Sequence, residues 1–183
     1  MAKKLNVPLM IHNAPTSMHI VHEIAKMNLP TLIACHSNYL FTTDECVENG
    51  KFLKQFPGVV LDAAVHDPFG VKKLVATPDN LFAFYANDLV DIVSTDFAAG
   101  SSDSMLEAIQ HAALEKKLVG FAKAVAQGTS RVTEVLPLLA PNLGVLKKGF
   151  GADIVVTAYP EIKSVERVYI GGKLAAKDGK VIR

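Results

Sequence analysis

With 183 residues, half of them hydrophobic, and a mean hydropathy of +0.26, the chain has the apolar material for one well-buried domain plus a small appendage, which argues against disorder. Nineteen Lys and Arg balance 18 Asp and Glu with no basic stripe or run of like charge, so no nucleic acid and no anionic membrane is expected as a partner. No apolar stretch has membrane-spanning length, no signal-peptide pattern opens the chain, and Cys35 and Cys46 alone cannot frame a disulfide scaffold, so a reducing cytoplasm is the expected location.

The opening AKKLNVPLMIH reads as the tail of a helix passing through Asn6-Val7-Pro8 into a strand, 7–12. A strand and half a helix are therefore expected upstream of residue 1. Ser17 is a plausible N-cap for a helix whose Met18, Val21, Ile24 and Ala25 share a face. A second strand follows at 31–36 (TLIACH). Next comes a helix after Thr43, with Val47, Phe52 and Leu53 marking its apolar face and Asp44, Glu45 and Glu48 favoured by the dipole of its first turns. Pro30 and Pro57-Gly58 punctuate the helix ends. Strands three and four are read at 58–66 (GVVLDAAVH) and 91–96 (DIVSTD), and another helix over 101–118, opened by Ser101, Ser102 or Asp103. The strands recur roughly every 24–33 residues, the length of a βα unit, which predicts right-handed crossovers and a parallel sheet.

Farther on the pattern changes. Residues 128–140 (GTSRVTEVLPLLA) read as a short helix, and strand-like runs follow at 153–157, 165–170 and 180–182. Gly149, Gly151, Gly171-Gly172 and Asp178-Gly179 separate them, the last a strong hairpin signal. The expected division is residues 1–145 as the βα part and 146–183 as a small antiparallel β segment, with the boundary near 141–150.

Each of the four apolar runs ends on a residue able to bind metal or move protons: His12, His36, His66 (or Asp62) and Asp96. In parallel α/β architectures the carboxyl ends of the strands form the functional rim, so these side chains are expected to converge. Imidazole and carboxylate suit zinc and similar divalent ions, which lower the pKa of bound water to roughly 7. An aspartate beside that water can take its proton and pass it to a leaving group. His12, His36 and Asp96 are the metal candidates, with Asp96 also the catalytic one; His66 could meet substrate instead. Asn13, Ser37, Asn38 and Tyr39 follow the histidines and are candidates to support the site or to touch substrate.

Other candidates read as structure. HIVHE (19–23) has the order H-x-x-H-E, the wrong one for a zinc-protease helix, so His19 and His22 are assigned to a helix face. Cys35 precedes His36 by one residue and should point to the opposite side of the strand. VYIGGKLAA lacks the spacing of a phosphate loop.

PLMIH ending at His12, LIACHSNY carrying His36 and IVSTDF carrying Asp96 resemble the amidohydrolase superfamily, the metal-dependent hydrolases that include dihydroorotases, imidazolonepropionases and enamidase-like enzymes. AVAQGTSRVTEVL and the ending LKKGFGADIVV…VERVYIGGKLAAKDGKVI are similar to that family's return to a small β-sandwich. The resemblance implies an α/β fold, the C-terminal half of a (β/α)8 TIM barrel (strands five to eight) with part of the sandwich. It implies hydrolysis of amide or cyclic amide, non-peptide C–N bonds in a small-molecule substrate with a divalent metal, zinc first. His12 and His36 would be ligands, and Asp96 both ligand and general base; His66 and Asn38 are the substrate-side candidates. The family's paired histidines after strand one and its carboxylated lysine after strand four have no counterpart, and Lys3 and Lys4 are not substitutes. Half a barrel leaves open sheet edges, so a homo-oligomer and little activity in a lone chain are expected. Two competitors stand beside this reading: a non-catalytic half-barrel used for binding or assembly, and a doubly wound domain with an unrelated ligand.

Overall fold

The computed structural model describes residues 2–65, 79–95 and 104–182. The chain forms two compact units, Met1–Met105 and Leu106–Arg183.

In the first unit a short helix α1 (Ala2–Leu5) leads into β1 (Leu9–His12), α2 (Met18–Ala25), β2 (Leu32–Cys35), α3 (Thr43–Leu53), β3 (Val59–Ala64), α4 (Asp79–Ala86) and β4 (Ile92–Ser94). The four strands pair parallel in the order β1-β2-β3-β4. Among the described strands the order steps one way, with no switch point of the kind a doubly wound sheet places at its ligand crevice. Each strand is shorter than its apolar run, and β1 and β2 begin directly or soon after Pro8 and Pro30, which have no amide N–H to give the ladder. Leu32, Ala34, Leu61 and Ala63 are fully buried.

Helix α3 begins one residue before the expected position. Thr42 caps it in a complete capping box with Glu45: the Glu45 amide donates to Thr42 Oγ1 at 3.4 Å, and the Thr42 amide donates to Glu45 Oε2 at 2.9 Å. The Thr42 bonds hold the Glu45 carboxyl below the usual range, so the box stabilises the fold above the unfolded glutamate's pKa and weakens as pH falls through the folded one. Thr42→Ala is expected to lower the unfolding free energy by about 0.5–2 kcal/mol, a loss read by denaturant titration. The buried face of α3 is Cys46, Asn49, Gly50 and Leu53, while Val47 and Phe52 are half-buried, a correction to the apolar face read from sequence. A polar residue and a glycine occupy the i, i+3, i+4, i+7 stripe. Gly50 is there because a Cβ would stand 2.9 Å from Leu89 Cδ1 and 3.3 Å from Phe84 Cζ. Ser17 does precede α2, yet its hydroxyl makes no capping bond and donates to His12 O at 2.8 Å.

The second unit opens with α5 (Met105–Ile109), which runs directly into a π-helical segment, Gln110–Glu115; the expected openers Ser101, Ser102 and Asp103 lie outside the described residues. Helices α6 (Phe121–Gln127) and α7 (Ser130–Val135) follow, and Ile109, Ala113, Ala124 and Ile162 form a small core. Then β5 (Ile154–Thr157), β6 (Val165–Ile170), β7 (Lys173–Lys177) and β8 (Lys180–Val181) make an antiparallel meander. Asp178 and Gly179 both take positive φ between paired Lys177 and Lys180, the tight hairpin expected of them. The change from helices to antiparallel strands falls between Val135 and Ile154, while the compact units divide after Met105.

Candidate metal centre

The carboxyl ends of β1 to β3 step upward across the sheet. The Asn13 amide donates to Cys35 O at 3.2 Å, Ser37 to Asp62 O at 2.8 Å and Val65 to Ser94 O at 3.0 Å. His12 is the last residue of β1 and exposed; His36 follows β2 directly and is buried. Their rings meet, His12 Nδ1 lying 2.5 Å from His36 Nε2, with centroids 4.8 Å apart and planes tilted by 35°.

That meeting departs from strand alternation. Register pairs His12 with Cys35, so Cys35 shares the face of His12, and regular alternation would carry His36 to the opposite face with Leu32 and Ala34. The backbone leaves strand geometry at His36, where φ is +41°. The Asp62 carboxylate accepts the His36 amide at 3.1 Å and the Ser94 hydroxyl at 2.9 Å on the same oxygen. Tyr39 stands edge-on to the His36 ring, centroids 6.1 Å apart.

Behind the two histidines lies a buried polar chain. Asn13 donates from Nδ2 to Ser37 Oγ at 2.9 Å and accepts on Oδ1 from Asn49 Nδ2 at 3.2 Å; Asn49 Oδ1 meets His22 Nε2 at 2.7 Å. The residues that directly follow the two histidines are thus bonded to each other. Asn38 spends its carboxamide on the β3 main chain, accepting from the Ala64 amide at 2.8 Å and donating to Ala64 O at 2.9 Å. His19 is exposed on α2. Sequence reading missed Asn49 and the Asn13–Ser37 link. The first was signalled by an asparagine on a buried helix stripe; the second depends on β1–β2 register, which no local pattern carries.

Two imidazole nitrogens from adjoining strand ends are the right donors for a zinc-type ion. A tetrahedral ion with nitrogens at ~2.0–2.1 Å holds a ligand pair about 3.3 Å apart, so the pair as it stands is hydrogen-bonded and would have to open by under ~1 Å to share a cation. Among the described residues no group of three or more His, Cys, Asp and Glu side chains gathers round one point. Asp96 and His66 lie outside the described residues.

The cysteines behave as structure. Cys46 is buried with its thiol donating to Thr43 O at 3.1 Å, and burial pushes it up to about 11. At pH 8 its thiolate fraction is ~0.001, so a disulfide reagent is expected to titrate half-buried Cys35 first and Cys46 only on unfolding. Equal rates for both thiols would contradict the packing of α3.

No protein-family model matches the chain, and no curated protein matches it. Solved structures do. The β-aspartyl dipeptidase of Fervidobacterium islandicum AW-1 superposes with TM-score 0.68 and 21% identity, over 97% of this chain and 47% of its own. A D-aminoacylase described by its binuclear metal center gives 0.70 and 11%, over 98% and 55%. The L-hydantoinase (dihydropyrimidinase) of Arthrobacter aurescens gives 0.52 and 13%, over 100% and 48%. The chain spans about half the length of these structures. No helix among the described residues is long and apolar enough to cross a membrane.

Proposed function

We propose that this chain is the C-terminal part of a metal-dependent hydrolase of the amidohydrolase superfamily, acting on amide or cyclic amide, non-peptide C–N bonds of a small molecule. Its parallel strands would be five to eight of a (β/α)8 barrel, and β5 to β8 part of the adjoining β-sandwich. The observation that carries the reading is the meeting of His12 and His36 at the carboxyl edge of a sheet whose strands run in unbroken order. Structural neighbours named as an aminoacylase, a hydantoinase and a dipeptidase support it.

His12 Nδ1 and His36 Nε2 would hold a divalent cation, zinc first among those that imidazole and carboxylate accept, with Asp96 as a further ligand. When bound, such a cation supplies Lewis acidity and a water ionised near neutral pH. Asp96 accepts the proton of the attacking water and returns it to the leaving nitrogen. Tyr39 and the Asn13–Ser37 bond keep the His36 ring and its corner in place, so the rim does not reorganise during the reaction. His66 would be a substrate-side residue, and Asn38, bonded to the Ala64 main chain, would hold the corner after β2 on that side.

Leu5, Val7 and Met10 expose large apolar side chains on and beside β1, one of the two edge strands of the described sheet. These favour association with a second copy, which sedimentation would show as a species of twice the chain mass.

The functional test is turnover of N-acyl amino acids, hydantoins and β-aspartyl dipeptides by the metal-supplemented protein and by Asp96→Asn. The reading expects any turnover to vanish in the variant and on chelation. Hydrolysis that survives Asp96→Asn would contradict it, while a parent chain with neither turnover nor bound metal would favour the binding-module alternative.

A further inference from the structure

We propose that Asp62 is the positioning residue of the histidine pair: its buried carboxylate captures the His36 amide at the turn where the ring swings onto His12. The proposal rests on reading His12 and His36 as the metal-holding pair, and it concerns how the chain builds that pair.

The β2–β3 ladder makes the case. Leu32 donates to Gly58 O at 2.8 Å, and register then places the regular rungs of Ala34 on Val60 and His36 on Asp62. At the last of these the ladder slips by one residue. The Asp62 carbonyl takes the Ser37 amide at 2.8 Å, leaving the His36 amide without its ordinary rung. The side chain of the same Asp62 supplies the replacement, accepting that amide on Oδ2 at 3.1 Å. One residue therefore receives two successive amides, one on its main chain and one on its side chain. Only a short side chain with an acceptor oxygen can do both from a strand position.

The slip is what reverses the ring. Without it His36 would share the face of Leu32 and Ala34; with it the backbone takes φ +41° and Nε2 reaches His12 Nδ1. A non-glycine residue in the left-handed region needs surrounding contacts that over-determine it. Asp62 is 5% exposed, and the Ser94 hydroxyl from β4 donates to the same Oδ2 at 2.9 Å, fixing the carboxylate from the other side. Four consecutive strands thus share one device: β4 aims Asp62 of β3, Asp62 sets the turn after β2, and the turn delivers His36 to β1.

The test separates an acceptor of hydrogen bonds from a charge or a ligand. Asp62→Asn keeps one carbonyl oxygen at the same reach, and Asp62→Ala keeps none. In the metal-free full chain, ring-proton nuclear Overhauser contacts between His12 and His36 are expected in the parent and in Asp62→Asn, and lost in Asp62→Ala. Titration with Co2+, followed by its visible absorption, is expected to weaken by ~10–100-fold in Asp62→Ala and by less than ~3-fold in Asp62→Asn. Ser94→Ala, which keeps the carboxylate but removes one of the donors aiming it, serves where Asp62→Ala does not fold. It is expected to thin the ring contact and weaken Co2+ binding by ~3–10-fold.

Ring contacts retained in Asp62→Ala would overturn the proposal, as would their loss in Asp62→Asn or an unchanged contact and affinity in Ser94→Ala. A parent chain that shows the expected ring contacts across the series yet takes up no Co2+ would support the role of Asp62 and sink the metal reading instead.

Discussion

Asn13→Ala is expected to lower the unfolding free energy by about 3 kcal/mol, which is on the order of 10 °C in Tm for a chain of this length. Asn13 is fully buried, and its carboxamide is the middle of the chain from His22 through Asn49 to Ser37. Truncation breaks two hydrogen bonds and strands the Asn49 amide in the interior; Ser37 keeps its bond to Ala34 O at 2.8 Å. A stranded buried donor costs about 1–3 kcal/mol, and each lost bond about 1. The same change frees the corners after His12 and His36, so metal affinity should fall along with stability. Calorimetry with and without Zn2+ reads both, because a ligand that binds only the folded state raises Tm. A loss under about 1 kcal/mol would mean that water or a neighbour takes over the Asn13 bonds.

Gly58→Ala should damage the fold as much while leaving the rim alone. Gly58 has φ +80°, and an added Cβ would stand 2.4 Å from Leu29 O and 2.9 Å from Pro30 O, both main-chain atoms. Neither can yield without moving the entry to β2, where Leu32 donates to Gly58 O. Left-handed strain of about 1–3 kcal/mol adds to the clash, so a loss of at least ~3 kcal/mol is expected, with much of the protein insoluble. Gly58 lies at the opposite end of β3 from Asp62 and Ala64, the end that in barrel architectures governs stability. Whatever Gly58→Ala protein folds should therefore bind metal as the parent does. Asn13→Ala and Gly58→Ala together separate stability from site assembly.

The apolar runs located β1 to β4; β2 and β3, buried on both faces over most of their length, read as continuous runs entered at Pro30 and Gly58, and β1 kept its run although Met10 is exposed. β7 carries little strand signal of its own, because four of the five residues of Lys173-Leu174-Ala175-Ala176-Lys177 are Lys or Ala, depleted in strands; pairing with β6 and the turn at Gly171-Gly172 place it. The π-helical stretch Gln110–Glu115 was read as ordinary helix, because the spacing of apolar residues does not report a widened turn. At the site, the strand ends single out His12 and His36, whose rings the structure brings together. Alternation alone would have put the two rings on opposite faces, and what joins them is a one-residue slip in the ladder caught by Asp62. That slip is a property of two strands at once. Asn38 shows the same limit: its loop position invites a substrate role, while its carboxamide is engaged as a surrogate rung on Ala64.

The most direct measurement is metal content per chain, by elemental analysis of protein purified without chelator, for the parent, His36→Ala and Asp96→Asn. The account predicts metal near stoichiometric in the parent and lost in both variants, with all three still folded. A parent chain without metal, or one whose metal survives both substitutions, would contradict a centre built on His12, His36 and Asp96.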